Sequence, residues 1–396
     1  MQAFEFYSPT HMIFGKGTES QVGRQVAAYG GSKVLVVYGG QSAVKSGLLD
    51  RVLASLSEAG LSYETLGGVQ PNPRLSLARK GVAQALAFGA DFLLAVGGGS
   101  VIDTAKAIAN GAANPELDIW NDLWLKKVTL TKALPVGVIL TISAAGSESS
   151  DSAVLTNDET HEKRGLSSDI QRPRFAILNP ELTMTLPPYQ VACGVVDIMM
   201  HTMDRYFNPV TSNELTDEIA EALLRTVIRN GAIAVKDPTN YQAMSELMWA
   251  GSLSHNGLTG LGSNKDFAPH QLGHELSAMF DVAHGASLAA VWDSWARYCL
   301  DADPARFARF GVNVWGLDPA GKEEAQLALE AIEATASYFR SIDMPTCFSA
   351  LACGVLAEET VKEMAHRCAF YGTRTIGTFR VLNESDILAI YTMANH

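Results

Sequence analysis

Short apolar runs alternate with amphipathic stretches through the first half of the chain. The run Lys33–Tyr38 is rich in valine, ends at two glycines and predicts a buried strand. The same patterns predict further strands at 62–66, 91–96 and 135–140 and helices at 48–59, 75–88 and 101–112. Strands that alternate with helices predict a parallel, doubly wound sheet in a Rossmann-like α/β domain.

The pattern changes after the pair Pro187 and Pro188, where apolar residues begin to recur at helical spacing. Examples of this spacing are 219–233, 244–255 and 325–339. Because β-branched runs largely stop there, the sequence predicts an α/β domain over residues 1–182 and an all-α domain over residues 183–396.

Composition narrows the class of protein and its partners. The 396 residues carry a net charge of -12, and lysine and arginine are scattered, so we expect no nucleic-acid or membrane-surface partner. The five cysteines form no C-x-x-C pair, which favours reduced thiols. The first residues lack a signal-peptide pattern, and no apolar run approaches the ~18–20 residues of a membrane span. We therefore expect a cytoplasmic protein.

Gly97, Gly98, Gly99 and Ser100 lie between a predicted strand and a predicted helix. Glycines let the backbone approach a ligand closely, and the helix N-terminus attracts a pyrophosphate. Ser100 and Asp103 also fit the N-cap and first turn of that helix. Since no G-x-G-x-x-G is present, an ordinary tight turn remains an alternative at this point.

A second glycine turn, with Gly39, Gly40 and Ser42, follows the first strong strand. A loop at that strand end commonly faces the adenosine ribose of a dinucleotide. The turn has no acidic residue for a 2′-hydroxyl, and it leaves room and donors for a 2′-phosphate. An ordinary glycine turn is the alternative interpretation.

The strongest chemical signal is a group of metal-ligand residues. Asp197 and His201 are four positions apart in a predicted helix and therefore share one face. His270, His274 and His284 follow within one short stretch. One carboxylate with two or three imidazoles suits Fe²⁺ or Zn²⁺. The other histidines, including His255, have no partner at ligand spacing.

Together these motifs resemble the iron-containing (group III) alcohol dehydrogenases, from about Phe14 to near the C-terminus. The residues that carry the resemblance are the run 97–106, the triplet 146–148, the segment 186–188 leading to Asp197 and His201, and the histidines of 270–284. Segments 38–40, 71–73 and 273–276 look closest to the branch of NADPH-dependent aldehyde reductases and butanol dehydrogenases.

The resemblance implies the dehydroquinate synthase-like fold of this family and a role for each matching residue. Its implied metal ligands are Asp197, His201, His270 and His284. His274 would lie beside the metal without being a required ligand, and from its position we expect it to relay a proton. The implied coenzyme-lining residues are Asn72, Gly98, Gly99, Ser100, Asp103, Thr141 and Lys163. Ala145 and Ser150 depart from the pattern, since relatives there usually have Thr and Asn.

The expected function is hydride transfer between NADP(H) and a small aldehyde or primary alcohol, with NAD(H) as the alternative coenzyme and one Fe²⁺ or Zn²⁺. The resemblance also implies a homodimer or larger assembly. Two alternatives stay open, an NAD-linked polyol dehydrogenase and a metal- and NAD-dependent lyase resembling dehydroquinate synthase. The lyase would have Glu at the position of Asp197 and a basic substrate pocket, and here the basic residues are scattered.

Overall fold

The computed structural model describes residues 2–210 and 213–396. The chain forms two compact units. One unit is Tyr7–Leu186, and the other is Pro187–His396 together with the N-terminal residues up to Phe6.

The unit Tyr7–Leu186 is built around a parallel sheet. Its strands are β1 (His11–Phe14), β2 (Lys33–Tyr38), β3 (Ser62–Leu66), β4 (Phe92–Gly97), β5 (Val136–Leu140) and β8 (Phe175–Leu178), in the spatial order β1-β8-β5-β4-β2-β3. Every neighbouring pair in this order is parallel. All residues of the central strands β4 and β5 are buried, which explains their unbroken apolar sequence.

Helices alternate with these strands along the chain. They are α1 (Val22–Ala28), α2 (Ser42–Lys45), α3 (Leu48–Glu58), α4 (Leu75–Phe88) and α5 (Gly99–Ala113). Val26 and Leu56 pack in one core with Val34 and Leu94 of the sheet. This arrangement confirms the predicted Rossmann-like α/β class.

The glycine turn between β4 and α5 differs in detail from the expectation. Helix α5 begins at Gly99, and its N-cap is Gly98, without a side-chain cap. The N-cap interpretation of Ser100 is therefore wrong, and Asp103 lies beyond the first turn. Because glycine at the N-cap leaves the first backbone N–H groups of α5 without a side-chain acceptor, they can serve a ligand.

A two-stranded antiparallel hairpin, β6 (Ser152–Asn157) with β7 (Glu162–Ser167), was not predicted. It is tied to the turn before α4, since the Thr156 N–H donates to the Pro73 carbonyl over 2.8 Å. The hairpin escapes the hydrophobic pattern because β7 is largely polar and only two of its residues, Lys163 and Leu166, are buried.

The second unit is helical, as the spacing predicts. Its helices are α6 (Pro188–Tyr206), α7 (Glu214–Ala234), α8 (Tyr241–His255), α9 (Ala268–Phe280), α10 (His284–Cys299), α11 (Pro304–Phe310), α12 (Glu324–Ser341), α13 (Glu358–Cys368) and α14 (Glu384–Ala394). Within the described ranges, no helix is both long enough and apolar enough to span a bilayer.

Candidate metal centre and coenzyme site

Helix α6 carries the first two residues of the candidate metal centre. Pro188 occupies its first turn, where a missing backbone N–H costs nothing. Asp197 and His201 follow on one face, and both are buried. The His201 Nδ1 atom lies 3.3 Å from the Asp197 Oδ1 atom.

Two further helices bring imidazoles to the same carboxylate oxygen. His270 of α9 places its Nε2 atom 3.7 Å from Asp197 Oδ1, and the His284 Nε2 atom of α10 lies 3.8 Å from it. Atoms ~2.0–2.2 Å from a tetrahedral ion are ~3.3–3.6 Å apart. Each of the three nitrogens thus lies about as far from the carboxylate oxygen as two ligand atoms of one ion lie from each other.

Close helix packing explains how His284 reaches α6. It is the first residue of α10, and the next residue is Gly285. A Cβ atom at Gly285 would lie only 2.1 Å from the backbone oxygen of Cys193 in α6. Only glycine permits this contact between the start of α10 and α6, so the sequence His-Gly is needed to bring the imidazole there.

The residues fit a divalent ion. Among the described residues, Asp197 Oδ1, His201 Nδ1 and His270 Nε2 are buried and accept or donate no hydrogen bond. A buried polar atom without a partner costs about 1–3 kcal/mol, and an ion would satisfy all three at once. Candidate ligand atoms of Asp197, His201 and His270 lie within 4.8 Å of one another. One carboxylate with imidazoles is a donor set for Fe²⁺ or Zn²⁺.

The electrostatics of the two buried imidazoles differ. Burial and the neighbouring His255 and His270 rings hold the pKa of His201 well below its usual value. Burial also acts to lower the pKa of His270, but Asp204 and Asp197 outweigh it and raise that pKa. The His270 Nδ1 atom lies 2.5 Å from the Asp204 Oδ2 atom. His201 is thus kept neutral, the form that binds a metal.

Four more side chains lie near this group. The His255 ring centroid is 4.0 Å from that of His201, and His274 is 5.5 Å from His284. The Phe267 ring lies 5.2 Å from His270 and has the Arg205 guanidinium 4.8 Å from its centroid. Phe267 adopts a left-handed backbone conformation (φ 58°), which is strained for a bulky residue.

In the other unit, the glycine turn after β4 packs tightly against the segment after β5. A Cβ atom at Gly98 would lie 3.0 Å from Ile142, and one at Gly99 would lie 3.1 Å from the Ala145 side chain. The Thr141 N–H donates to the Gly97 carbonyl over 3.1 Å. The turn thus has a packing reason for its glycines beside the predicted phosphate-binding one.

Asp103 and Lys163 hold the β6–β7 hairpin against its neighbours. The Val154 N–H donates to Asp103 Oδ2 over 2.9 Å, and Lys163 Nζ donates to Asn72 Oδ1 over 3.0 Å. Burial raises the pKa of Asp103 to about 6, against the opposing effect of Lys106. The structure therefore brings together Asn72 and Lys163, two of the predicted coenzyme residues.

Gly39 and Gly40 directly follow β2, and Ser42 begins α2. Gly40 and Ser42 are exposed. A Cβ atom at Gly39 would meet only ordinary contacts, 3.6 Å from the Val69 carbonyl oxygen and 3.7 Å from Val101. The turn therefore has no steric need for glycine at position 39.

Comparisons with known proteins decide the family. Residues 9–180 match the family described as "Iron-containing alcohol dehydrogenase", and residues 191–395 match the "Fe-containing alcohol dehydrogenase family, C-terminal". The chain belongs to the iron-containing alcohol dehydrogenase family. It is therefore an oxidoreductase of alcohols and aldehydes, and the lyase alternative is not favoured.

Members of the iron-containing alcohol dehydrogenase family resemble the chain over nearly its full length. It is 40% identical to NADH-dependent butanol dehydrogenase A of Clostridium acetobutylicum, over 99% of each chain. It is 38% identical to the NADPH-dependent aldehyde reductase YqhD of Escherichia coli, over 88% of this chain and 89% of that one. The crystal structure of NADH-dependent butanol dehydrogenase A from Thermotoga maritima has a TM-score of 0.95, with 35% identity over 100% and 99% of the two chains.

Asp204, Lys106 and the contact of His255 with His201 were not predicted from the sequence. Asp204 was detectable, because it follows Asp197 by seven positions and shares its helix face. Lys106 is fully buried and donates to the carbonyls of Ser150 (3.0 Å) and Ser152 (2.7 Å). A lysine in a predicted helix of small residues gives no sign in the sequence that it is buried. His255 is 54 positions from His201, and only the fold brings them together.

Proposed function

We propose that this protein reduces small aldehydes to primary alcohols with NADP(H), using one divalent ion, Fe²⁺ or Zn²⁺. We assign Asp197, His201, His270 and His284 as the residues that hold the ion. The observation that carries the proposal is the placement of three imidazole nitrogens 3.3–3.8 Å from Asp197 Oδ1. NADH-dependent and NADPH-dependent relatives support the use of a nicotinamide coenzyme.

The ligand set accounts for the chemistry. A divalent ion supplies Lewis acidity, which polarises a carbonyl group and stabilises the negative charge that its oxygen acquires. A divalent ion held by one carboxylate and three neutral imidazoles forms a group with a net charge of +1. Because this charge stays positive, the ion keeps its Lewis acidity. In our proposal His274 delivers the proton that the alcohol oxygen needs, because its ring lies 5.5 Å from that of His284 and 6.5 Å from that of His270.

The glycine turns account for the coenzyme. We propose that the pyrophosphate binds at the turn Gly97–Ser100 and the start of α5, with Asp103 and Thr141 beside it and with Asn72 and Lys163 near a ribose. The N-terminus of α5 offers N–H groups and a positive dipole end. The turn Gly39–Ser42 contains no carboxylate, and Lys45 follows it at the end of α2. This charge balance favours a 2′-phosphate and hence NADP(H).

Phe267 is the aromatic residue that we assign to the substrate's apolar part. It is partly exposed, and its ring lies within 6.4 Å of both His201 and His255. An aromatic wall beside the ligands favours aliphatic aldehydes over polyols, whose hydroxyls would lose water without gaining partners. Leu258, at the start of a short 3₁₀ turn after α8, is a second apolar candidate.

The test of the function uses protein purified without oxygen and assayed for bound metal. We expect Fe²⁺ or Zn²⁺ at about one ion per chain, and faster oxidation of NADPH with butanal than reduction of NADP⁺ with butanol near neutral pH. Turnover of glycerol far faster than of butanal would favour the polyol dehydrogenase. Silence with all of these substrates would contradict the proposal.

For assembly and compartment we propose a homodimer or larger oligomer in the cytoplasm. No disulfide joins any of the five cysteines, which suits a reducing compartment. Light scattering of the purified protein tests the assembly, and a monomer at micromolar concentration would contradict it.

A further inference from the structure

Asp204 contacts the candidate metal centre without being one of its ligands. It lies on α6, three positions after His201 and seven after Asp197, so all three carboxylate and imidazole groups share one helix face. Its side chain is fully enclosed, with 1% exposed. One oxygen, Oδ2, lies 2.5 Å from Nδ1 of His270 in the next layer of helices.

We propose that Asp204 is a positioning residue that fixes the tautomer and the orientation of His270, and so sets the affinity of this site for its ion. The inference rests on the proposed metal centre. An ionised carboxylate can only accept a hydrogen bond, so the proton of neutral His270 must lie on Nδ1. The lone pair is then on Nε2, which is the atom 3.7 Å from Asp197 Oδ1.

The backbone around Asp204 fixes both partners of this contact. The Asp204 carbonyl accepts the N–H of Asp266 over 2.8 Å, just before α9 begins. Asp266 in turn accepts the N–H groups of Ala268, Thr378 and Phe379 over 2.7–2.9 Å. The end of α6 and the start of α9 are thus connected twice, once by backbone and once through the His270 ring. The ring has little freedom to turn away.

Charge gives a second reason for a carboxylate at this position. A buried cation is costly unless nearby groups neutralise it. Asp197 and Asp204 together carry two formal negative charges, which match a divalent ion. A backbone carbonyl could also orient His270, but it would add no negative charge near the ion.

The test measures zinc binding by the full-length apoprotein, using a competing chelator, for wild type, Asp204→Asn and Asp204→Leu. Asn keeps an acceptor for Nδ1–H and removes the charge, whereas Leu removes both. We expect Asp204→Asn to weaken zinc binding by about 10- to 100-fold and Asp204→Leu by more. The visible spectrum of the Co²⁺-substituted protein should also change, because the ligand field at the ion changes.

A matched control separates this role from general stability. Asp217→Asn removes another buried carboxylate of the same unit, one that binds Arg306 through two contacts of 2.6 Å. It should lower the thermal unfolding temperature of the apoprotein and leave the zinc dissociation constant within about twofold of wild type. If Asp204→Leu does not fold, the isosteric Asp204→Asn still decides.

Two results are distinguishable. Zinc binding within about twofold of wild type in Asp204→Asn and Asp204→Leu, with strong loss in His270→Ala, would overturn the positioning role and leave the metal centre intact. Unchanged zinc binding in His270→Ala would show instead that the metal centre itself is misassigned.

Discussion

The Nζ atom of Lys163 donates a hydrogen bond to Oδ1 of Asn72 over 3.0 Å, although 91 positions separate the two residues. Both side chains are 5% exposed. Asn72 has a left-handed backbone (φ 54°) in the turn before α4, a conformation that asparagine tolerates better than most residues. The β6–β7 hairpin thus brings an ammonium group to the turn that holds Asn72.

Replacing Lys163 by Met should weaken coenzyme binding. A hydrogen bond to a charged group contributes about 1.5–3 kcal/mol, so we expect the KM for NADPH to rise by about 10- to 150-fold. The measurement is KM and the fluorescence-detected Kd for NADPH. Lys80→Met, at an exposed position of α4, is the matched control and should change neither. Equal constants in both variants would remove Lys163 from the coenzyme site.

Replacing a ligand should abolish the chemistry more than the fold. A Lewis acid contributes several kcal/mol to transition-state stabilisation, and each ~1.4 kcal/mol corresponds to a tenfold change in rate. His284→Ala or His270→Ala should therefore lose about 10³-fold or more in kcat together with the bound metal. His366→Ala serves as control, because the partly exposed His366 contacts Glu384 and Tyr371 and none of the candidate ligands. Near-normal turnover by His284→Ala would rule out that ligand.

Gly39→Asp should shift the coenzyme preference toward NADH. A Cβ atom at this position makes only ordinary van der Waals contacts. A carboxylate there repels a 2′-phosphate, by about 1 kcal/mol in water and about 4 at an effective dielectric of 20 for charges ~4 Å apart. We expect kcat/KM for NADPH to fall about 5- to 150-fold, with NADH spared.

The comparison requires both coenzymes in both proteins. Gly40→Asp, at the neighbouring exposed position, is a useful second variant because it places the same charge elsewhere in the turn. A wild type that prefers NADH, or an unchanged ratio in Gly39→Asp, would mean that the turn does not distinguish the two ribose forms.

Because of Lys106, the free energy of unfolding should increase as the pH rises above about 8. Burial lowers its pKa from 10.5 to about 8, although Asp103, Asp151 and Glu148 oppose this and Arg172 adds to it. Between these values the unfolded chain binds the extra proton, so the free energy of unfolding rises with pH. Below about pH 8 Lys106 is charged in both the folded and the unfolded chain, so the free-energy cost of burying its ammonium group is present in full.

The measurement is the difference in urea unfolding between wild type and Lys106→Met from about pH 7.5 to 9.5. Taking the difference cancels the contribution of tyrosines such as Tyr206, whose raised pKa makes the free energy of unfolding fall as pH rises. We expect the difference to move in favour of wild type by a few kcal/mol at most. A difference that stays flat would show that Lys106 titrates as it does in water.

Buried strands and amphipathic helices were predictable because their patterns are set by the core. The expected helix 75–88 is α4, with both ends at the same residues. The strand Phe175–Leu178 was not predicted, since four apolar residues do not distinguish a strand from a helix segment. The β6–β7 hairpin gives no clear alternation, and only its contacts with Pro73 and α5 explain why it is there.

The candidate site was predictable where residues cluster in sequence and not where the fold assembles them. The pair Asp197 and His201 follows from helical spacing alone. The contact of Asp204 with His270 spans 66 positions and depends on how α6 and α9 pack. Sequence spacing shows which side chains share a face, whereas hydrogen-bond partners across helices depend on packing that no local pattern records.

The strained backbone of Phe267 has an evolutionary consequence. A left-handed conformation costs a side-chain-bearing residue about 1–2 kcal/mol, and glycine would relieve it. Glycine would also delete the ring that lies beside His270 and stacks on Arg205. With the substrate-contacting role that we propose for Phe267, selection for heat resistance and selection for a particular substrate act on this position in opposite directions, and a laboratory evolution experiment aimed only at thermostability should lose selectivity here first.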